Sequence, residues 1–250
     1  MQLIDINNHL LPGYKTGAKV MRDSIRMSSQ LVENGVQKVI ATPFSLGEDN
    51  WETIKTSVAL LQEELYKYDI PLTILPGREL HVTRAWLTNW QEDIILRESP
   101  HTLFFIESQD DLPALENVFF QMNVSRQKPI LVQPERINFF QKDEKKLQNM
   151  LLHGAYIQLH AGSLLGDFGW KTKRFAWRLL ESGDVFVIAS GAIDATKKSC
   201  QLKEAYQGIA KRMGPEFVNT LQANAWSLGN KEVSSSLSQI EIKKGEEGTQ

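Results

Sequence analysis

The stretch LIDINNHL near the N-terminus sets Asn7 and His9 two residues apart on an apolar, strand-like run. Both side chains therefore project from one face. Two histidines so placed hold a metal ion, but asparagine has no imidazole nitrogen to offer a transition metal. Glu79 in PGRE, Glu107 in IES and His160 in HAGS stand at the ends of further apolar runs. Carboxylates and imidazoles are ligands for divalent manganese, iron or zinc. A second set is cationic: Lys15, Arg136, Lys197 and Lys198 lie at or just beyond strand ends, and Ser163 in AGSLLG adds a hydroxyl. Such groups suit a phosphate, with the arginine fork able to take two oxygens at once. Each residue also has a plainer use. A histidine at a strand terminus serves as a hydrogen-bonded structural group, Glu79 can pair with Lys15 or Arg78, basic side chains on loops are often only solvated, and Ser163 can open a helix. His81, His101 and His153 fall in apparent helices and loops and are assigned no role.

The elements that must position these residues are legible as seven apolar runs, LIDI, VQKVIA, PLTIL, TLFFI, PILV, YIQL and VFVIA, with helical segments between them. That alternation predicts a parallel α/β fold. In an α/β barrel, chemistry gathers at the carboxyl ends of the strands. Here those ends read NNH, TPF, PGRE, IES, QPER, HAGS and SGAID. Asp23 is expected to cap the helix SIRMSSQLVEN, and Trp51, Ile54, Val58, Leu61 and Leu65 recur at the spacing of a buried helix face. Further helices are expected to end at Gly154, Gly183 and Gly214. No Ser- or Pro-rich linker interrupts the pattern, so residues 1–232 are expected to form one domain, and the polar stretch 233–250 a disordered tail. Trp86 and Trp90 are neighbours on a helix face, which fits either core packing or a partner surface.

Bulk composition excludes several classes. Hydrophobic residues at 42% and charged residues at 23% match an ordinary globular protein, and a net charge of −2 gives no global attraction to nucleic acid. No apolar run is long enough for a transmembrane segment. The single Cys200 cannot form an internal disulfide, and cytoplasmic residence is expected. Cys200 lies in KKSCQLKE and carries no nucleophile signature.

Six blocks in this order, MQLIDINNHLLP, GVQKVIATPF, LPGREL, PILVQPER, AGSLLGDFG and VIASGAI, resemble the polymerase-and-histidinol-phosphatase (PHP) type tyrosine phosphatases of bacterial capsule and exopolysaccharide operons. The similarity covers roughly residues 1 to 230. It implies a distorted TIM-like barrel of about seven parallel β-α units, and metal-dependent phosphotyrosine hydrolysis at the barrel mouth. The family pattern D-x-H-x-H is here Asp5, Asn7 and His9, and the acidic pair in L-P-x-x-D-D-G is replaced by Lys15 and Thr16. The family's A-T-P-H ends in Phe44, its H-P-E-R begins with Gln133, and its S-D-A-H has become Ser190, Gly191, Ala192 and Ile193. His9 and Glu79 remain. Glu107 would join them only through a strand slip or bulge, because the family's glutamate aligns with Ile106, and His160 is a further candidate.

The resemblance, with so many ligand positions changed, leads to an expected pseudophosphatase, a phosphotyrosine- or partner-binding regulator of polysaccharide synthesis, with no cofactor. The expected partner is a tyrosine-phosphorylated kinase or polysaccharide-assembly protein. The alternative is an active phosphatase using one divalent metal, manganese, iron or zinc, and a third reading keeps the barrel as a purely structural subunit.

Overall fold

The structure, a computed structural model, describes residues 3–45, 50–90, 102–125, 127–195 and 200–229. Lys197, Lys198, His101 and the segment 233–250 lie outside the described residues. The described residues form nine strands: β1 (Leu3–Asn8), β2 (Val36–Ala41), β3 (Phe44–Ser45), β4 (Thr73–Pro76), β5 (Arg78–Val82), β6 (Thr102–Ile106), β7 (Ile130–Val132), β8 (Tyr156–His160) and β9 (Val185–Ala189). All pairings are parallel, in one sheet of order β1-β2-β4 and another of order β3-β5-β6-β7-β8-β9. Strand β2 leads into β3 across Thr42 and Pro43, and β4 into β5 across Gly77. The two sheets meet again where Asn8 bridges to Ala192 beyond β9.

Each of the seven predicted runs overlaps a strand. Two strands lie outside those runs: the two-residue β3, at the strand end TPF, and β5, at the strand end PGRE. RELHV alternates, with Leu80 in the core beneath the helices and Glu79 and His81 on the opposite face. A strand whose inward residues are charged or polar has no apolar run to reveal it.

Ten helices are described: α1 (Met21–Glu33), α2 (Trp51–Lys67), α3 (Arg84–Asn89), α4 (Leu112–Val124), α5 (Asn138–Lys142), α6 (Glu144–Leu152), α7 (Ala161–Leu165), α8 (Trp170–Glu181), α9 (Leu202–Met213) and α10 (Pro215–Gly229). The buried face of α2 consists of the five predicted residues, Trp51, Ile54, Val58, Leu61 and Leu65. In α1 the cap differs from expectation. Val20 occupies the N-cap, and Asp23 is the third helical residue, whose carboxylate accepts from the Lys19 and Val20 amides. A carboxylate there still satisfies first-turn donors and meets the positive end of the helix dipole. Trp86 is buried against Phe104 and Trp90 is half-buried on the same core, so both serve packing.

Apolar side chains fall into two clusters. Ile4, Ile6, Ile40, Leu103, Ile130, Val132, Val187 and Ala189 of the strands pack together with Ala225 and Leu228 of α10. The larger cluster lies between the strands and the surrounding helices. Alternation along each strand supplies both, one face inward and one outward. No helix among the described residues is long and apolar enough to cross a membrane.

Candidate functional site

The carboxyl ends of the strands surround an open cavity of about 570 Å³. His9, Thr16, Phe44, Glu79, Gln133, Arg136, His160, Gly191 and Ile193 all line it, so residues from six separate strand ends meet at one mouth. Asn7 joins them through its amide. Asn7 Nδ2 donates to Glu79 Oε2 at 2.8 Å, and His9 Nε2 lies 3.4 Å from that same oxygen. His9 Nδ1 meets Thr16 Oγ1 at 2.7 Å.

Glu79 is the hub. Its other oxygen is 3.0 Å from His81 Nε2, and His81 Nδ1 reaches Glu107 Oε1 at 3.1 Å. Burial alone would raise the Glu79 pKa, but hydrogen bonds from His81, His9 and Asn7, with the charge of His9, more than offset it and hold the carboxyl far below its ordinary value. Glu79 is therefore held by imidazoles and an amide, where the plainer sequence reading offers a pairing with Lys15 or Arg78. The Lys15 ammonium instead sits over the Phe44 ring, 4.5 Å from its centroid, at the exposed rim.

His81 was assigned no role from sequence, yet it lines the mouth between Phe44 and Phe105, with ring centroids 4.0 and 4.5 Å away. The available signal was its spacing: Glu79 and His81 are two apart, like Asn7 and His9, and so share a face. Glu107 needs neither slip nor bulge to reach it. The β5–β6 register is regular from Arg78 opposite Thr102 to Val82 opposite Ile106, and Glu107 follows as the next residue on the Phe105 side.

On the opposite wall, Gln133 has left-handed backbone angles, φ 49° and ψ 44°, and opens the single turn Pro134–Arg136. Arg136 Nη1 donates to Gln133 Oε1 at 2.5 Å, and the guanidinium stacks 3.9 Å from the Phe168 centroid. His160 Nδ1 accepts from the Gly162 amide at 2.9 Å. Burial, with the neighbouring Arg136 charge, pushes the His160 pKa down to about 3, so the ring is neutral. Ser163 does not face the cavity: its buried hydroxyl donates to Glu135 Oε1 at 2.7 Å. Cys200 is buried, and burial pushes its thiol well above the ordinary value, which leaves no reactive thiolate.

Glu135, which sequence did not single out, is fully buried beneath this wall. Burial raises its pKa to about 7 despite hydrogen bonds from Ser163 and the His160 amide. Above its ordinary pKa of 4.5 the native state binds more protons here than the unfolded chain. The resulting stability is full below that value and is lost as pH rises through about 7. Glu135→Gln is neutral and isosteric, so its stability relative to the parent is expected to improve by about 3 kcal/mol between about pH 4 and about pH 8. Urea titrations at both pH values check this, and a pH-independent difference contradicts it.

Comparison with known proteins places the chain in a family. The family model described as capsular polysaccharide synthesis, CpsB/CapC, matches residues 3–228. Tyrosine-protein phosphatase YwqE of Bacillus subtilis is 29% identical over 89% of this chain and 90% of its own length. Tyrosine-protein phosphatase CpsB of Streptococcus pneumoniae is 22% identical over 88% of this chain and 94% of its own. A solved structure from work on YwqE and CpsB, described as unique metal-dependent tyrosine phosphatases, superposes with a TM-score of 0.80 at 28% identity, covering 90% of this chain and 94% of the other. An organophosphorus hydrolase from Deinococcus radiodurans, at 12% identity and TM-score 0.58, shares the fold alone.

Metal dependence in so similar a structure overturns the expectation of no cofactor. The donor set in this mouth, however, does not fit a metal cluster. Among the described residues no three His, Cys, Asp or Glu side chains are grouped to hold an ion. Both Glu79 oxygens face nitrogen groups of Asn7, His9 and His81, and Phe44 and Ile193 bring hydrocarbon to the cavity. With the family model matched along nearly all of its described length and parallel α/β architecture shared with a solved relative, this chain belongs to the CpsB/CapC family of capsular polysaccharide synthesis, the tyrosine phosphatases of PHP-type fold.

Proposed function

We propose that this chain is a catalytically inactive, phosphotyrosine-binding member of its family, a regulator that holds a tyrosine-phosphorylated kinase or polysaccharide-assembly protein during capsule or exopolysaccharide synthesis. The observation carrying this reading is what stands at the mouth: Phe44, Gln133, Gly191 and Ile193 line it at the resemblance's ligand positions, with Asn7 buried behind them on Glu79, while Arg136 stays at the rim of the same cavity. In a metal-dependent phosphatase the ion would lower the pKa of the attacking water, and the described donors do not group around one. Binding needs less. A phosphotyrosine carries about −1.5 to −2 charges, and an arginine can take two of its oxygens. The architecture belongs to the same proposal: counting β2 with β3 and β4 with β5 as broken strands gives seven parallel β-α units, in one domain spanning residues 1–232.

Two measurements test this. Hydrolysis of an aryl phosphate is expected to stay at background with manganese, iron or zinc supplied, as the metal dependence of the solved relative requires of a fair assay. A saturable, chelator-sensitive rate that falls on His9→Ala or Glu79→Gln establishes the single-metal enzyme instead. In calorimetry, a tyrosine-phosphorylated peptide is expected to bind more tightly than its unphosphorylated form. Arg136→Ala is expected to weaken it by about 1.5–3 kcal/mol, roughly ten- to a hundredfold. Equal affinity for the two peptides leaves the mouth without a reading function.

A further inference from the structure

We infer that Gln133, His160 and Arg136 form a preset oxyanion site, built from N–H donors of the protein itself, that takes a tetrahedral phosphoryl group. This deepens the phosphotyrosine-binding reading above and rests on it.

The orientation of each donor is fixed by a second hydrogen bond. Arg136 Nη1 donates to Gln133 Oε1, so the amide cannot be flipped and Gln133 Nε2 carries its two hydrogens toward Gly191. His160 Nδ1 accepts from the Gly162 amide, so in the neutral ring Nε2 is the protonated nitrogen. The two donors converge. A carbon atom built on Gly191 at the Cβ position lies 2.8 Å from Gln133 Nε2 and 2.9 Å from His160 Nε2. Gln133 is only 6% exposed yet lines the cavity, and its Nε2 makes no hydrogen bond to the described residues, which leaves that donor to a ligand in the cavity. Its left-handed backbone, uncommon outside glycine, is the kind of local strain that functional sites retain. Arg136 stands beside them, stacked on Phe168, with the rest of its fork at the cavity.

The surroundings set the ligand class. Asp167 and Asp194 also line the cavity, and Glu79 lies across it with its charge taken up by Asn7, His9 and His81. The mouth is therefore not a field of excess positive charge. It selects by directed donors, which favours a compact oxyanion with several acceptor oxygens over a diffuse acidic surface.

Inorganic phosphate is the probe, titrated in chelating buffer into the whole protein while the His160 Nε2 resonance is followed by heteronuclear NMR. Saturable movement of that resonance is expected. Gln133→Glu keeps the size and the Arg136 contact but exchanges the donor for an acceptor, and Gln133→Met removes the donor without adding charge. Both are expected to weaken phosphate binding at least tenfold. No binding to the native protein, or unchanged binding in both variants, overturns the inference. The phosphopeptide comparison separates the two proposals. If phosphate binds and depends on Gln133 while phosphorylated and unphosphorylated peptides bind alike, the oxyanion site stands and the regulator reading fails. If the phosphopeptide binds selectively and equally well to both variants, the regulator reading stands and this site fails.

Discussion

Asp5→Ala is expected to destabilise the fold by about 3–5 kcal/mol, the largest single-residue effect at this end of the molecule. Asp5 is fully buried, and burial raises its pKa above the ordinary value against four hydrogen bonds that lower it. Its Oδ1 accepts from the Ser190 amide at 2.9 Å. Its Oδ2 accepts from the Ser190 hydroxyl at 2.5 Å and from Asn8 Nδ2 at 2.9 Å. These bonds tie β1 to the chain leaving β9, where the Asn8–Ala192 bridge joins the two sheets. Alanine leaves the Ser190 amide and the Asn8 side chain without their strongest acceptor and opens a cavity as well. Asp5→Asn keeps the volume but turns one acceptor into a donor, and is expected to cost roughly half as much. Urea denaturation of the three proteins measures the series. An Asp5→Ala protein within about 1 kcal/mol of the parent shows that the junction is held by something else. Because Ser190 precedes Gly191 in the mouth, phosphate binding should weaken along with stability.

The elements that sequence made legible are those whose burial is one-sided and apolar. The α2 stripe from Trp51 to Leu65 could be read because leucine, isoleucine and tryptophan at three- and four-residue spacing have one use. The ends of the apolar runs were legible for the same reason, and Asn7, His9, Phe44, Glu79, Gln133, Arg136, His160 and Gly191 do meet at one end. What was not legible lies where polar groups are buried among themselves. RELHV has the pattern of a loop until Glu79 is seen to satisfy His81, His9 and Asn7 at once. Ser163 could be placed at a strand end but not aimed, because the direction of its hydroxyl depends on Glu135, a carboxylate 28 residues away with no sign in sequence of being buried. Partners of polar groups are three-dimensional facts, whereas hydrophobic periodicity is local. The cofactor expectation failed for a different reason: missing ligands describe this chain, and metal dependence was a property of its relatives.

Gly191→Ala is expected to cost about 2–5 kcal/mol, an unusually large penalty for adding one methyl group at a partly exposed position. Two independent terms contribute. Gly191 has φ 59°, where a side chain costs roughly 1–2 kcal/mol through contact with its own backbone. The new carbon would also stand 2.7 Å from His160 Cδ2 and 2.8 Å from Gln133 Nε2, closer than real carbon contacts allow, and displacing such neighbours costs about 1–3 kcal/mol. Neither neighbour moves freely: His160 is held by Gly162 and Gln133 by Arg136. The second term can be removed in part. Adding Gln133→Ala clears one of the two collisions, so Gly191→Ala should cost less in that background than in the parent, with the backbone term left behind. Equal costs in the two backgrounds mean the strain is in the backbone alone. A cost below about 0.5 kcal/mol in the parent means that His160 and Gln133 are not packed against Gly191 as described, and that the converging donors do not converge.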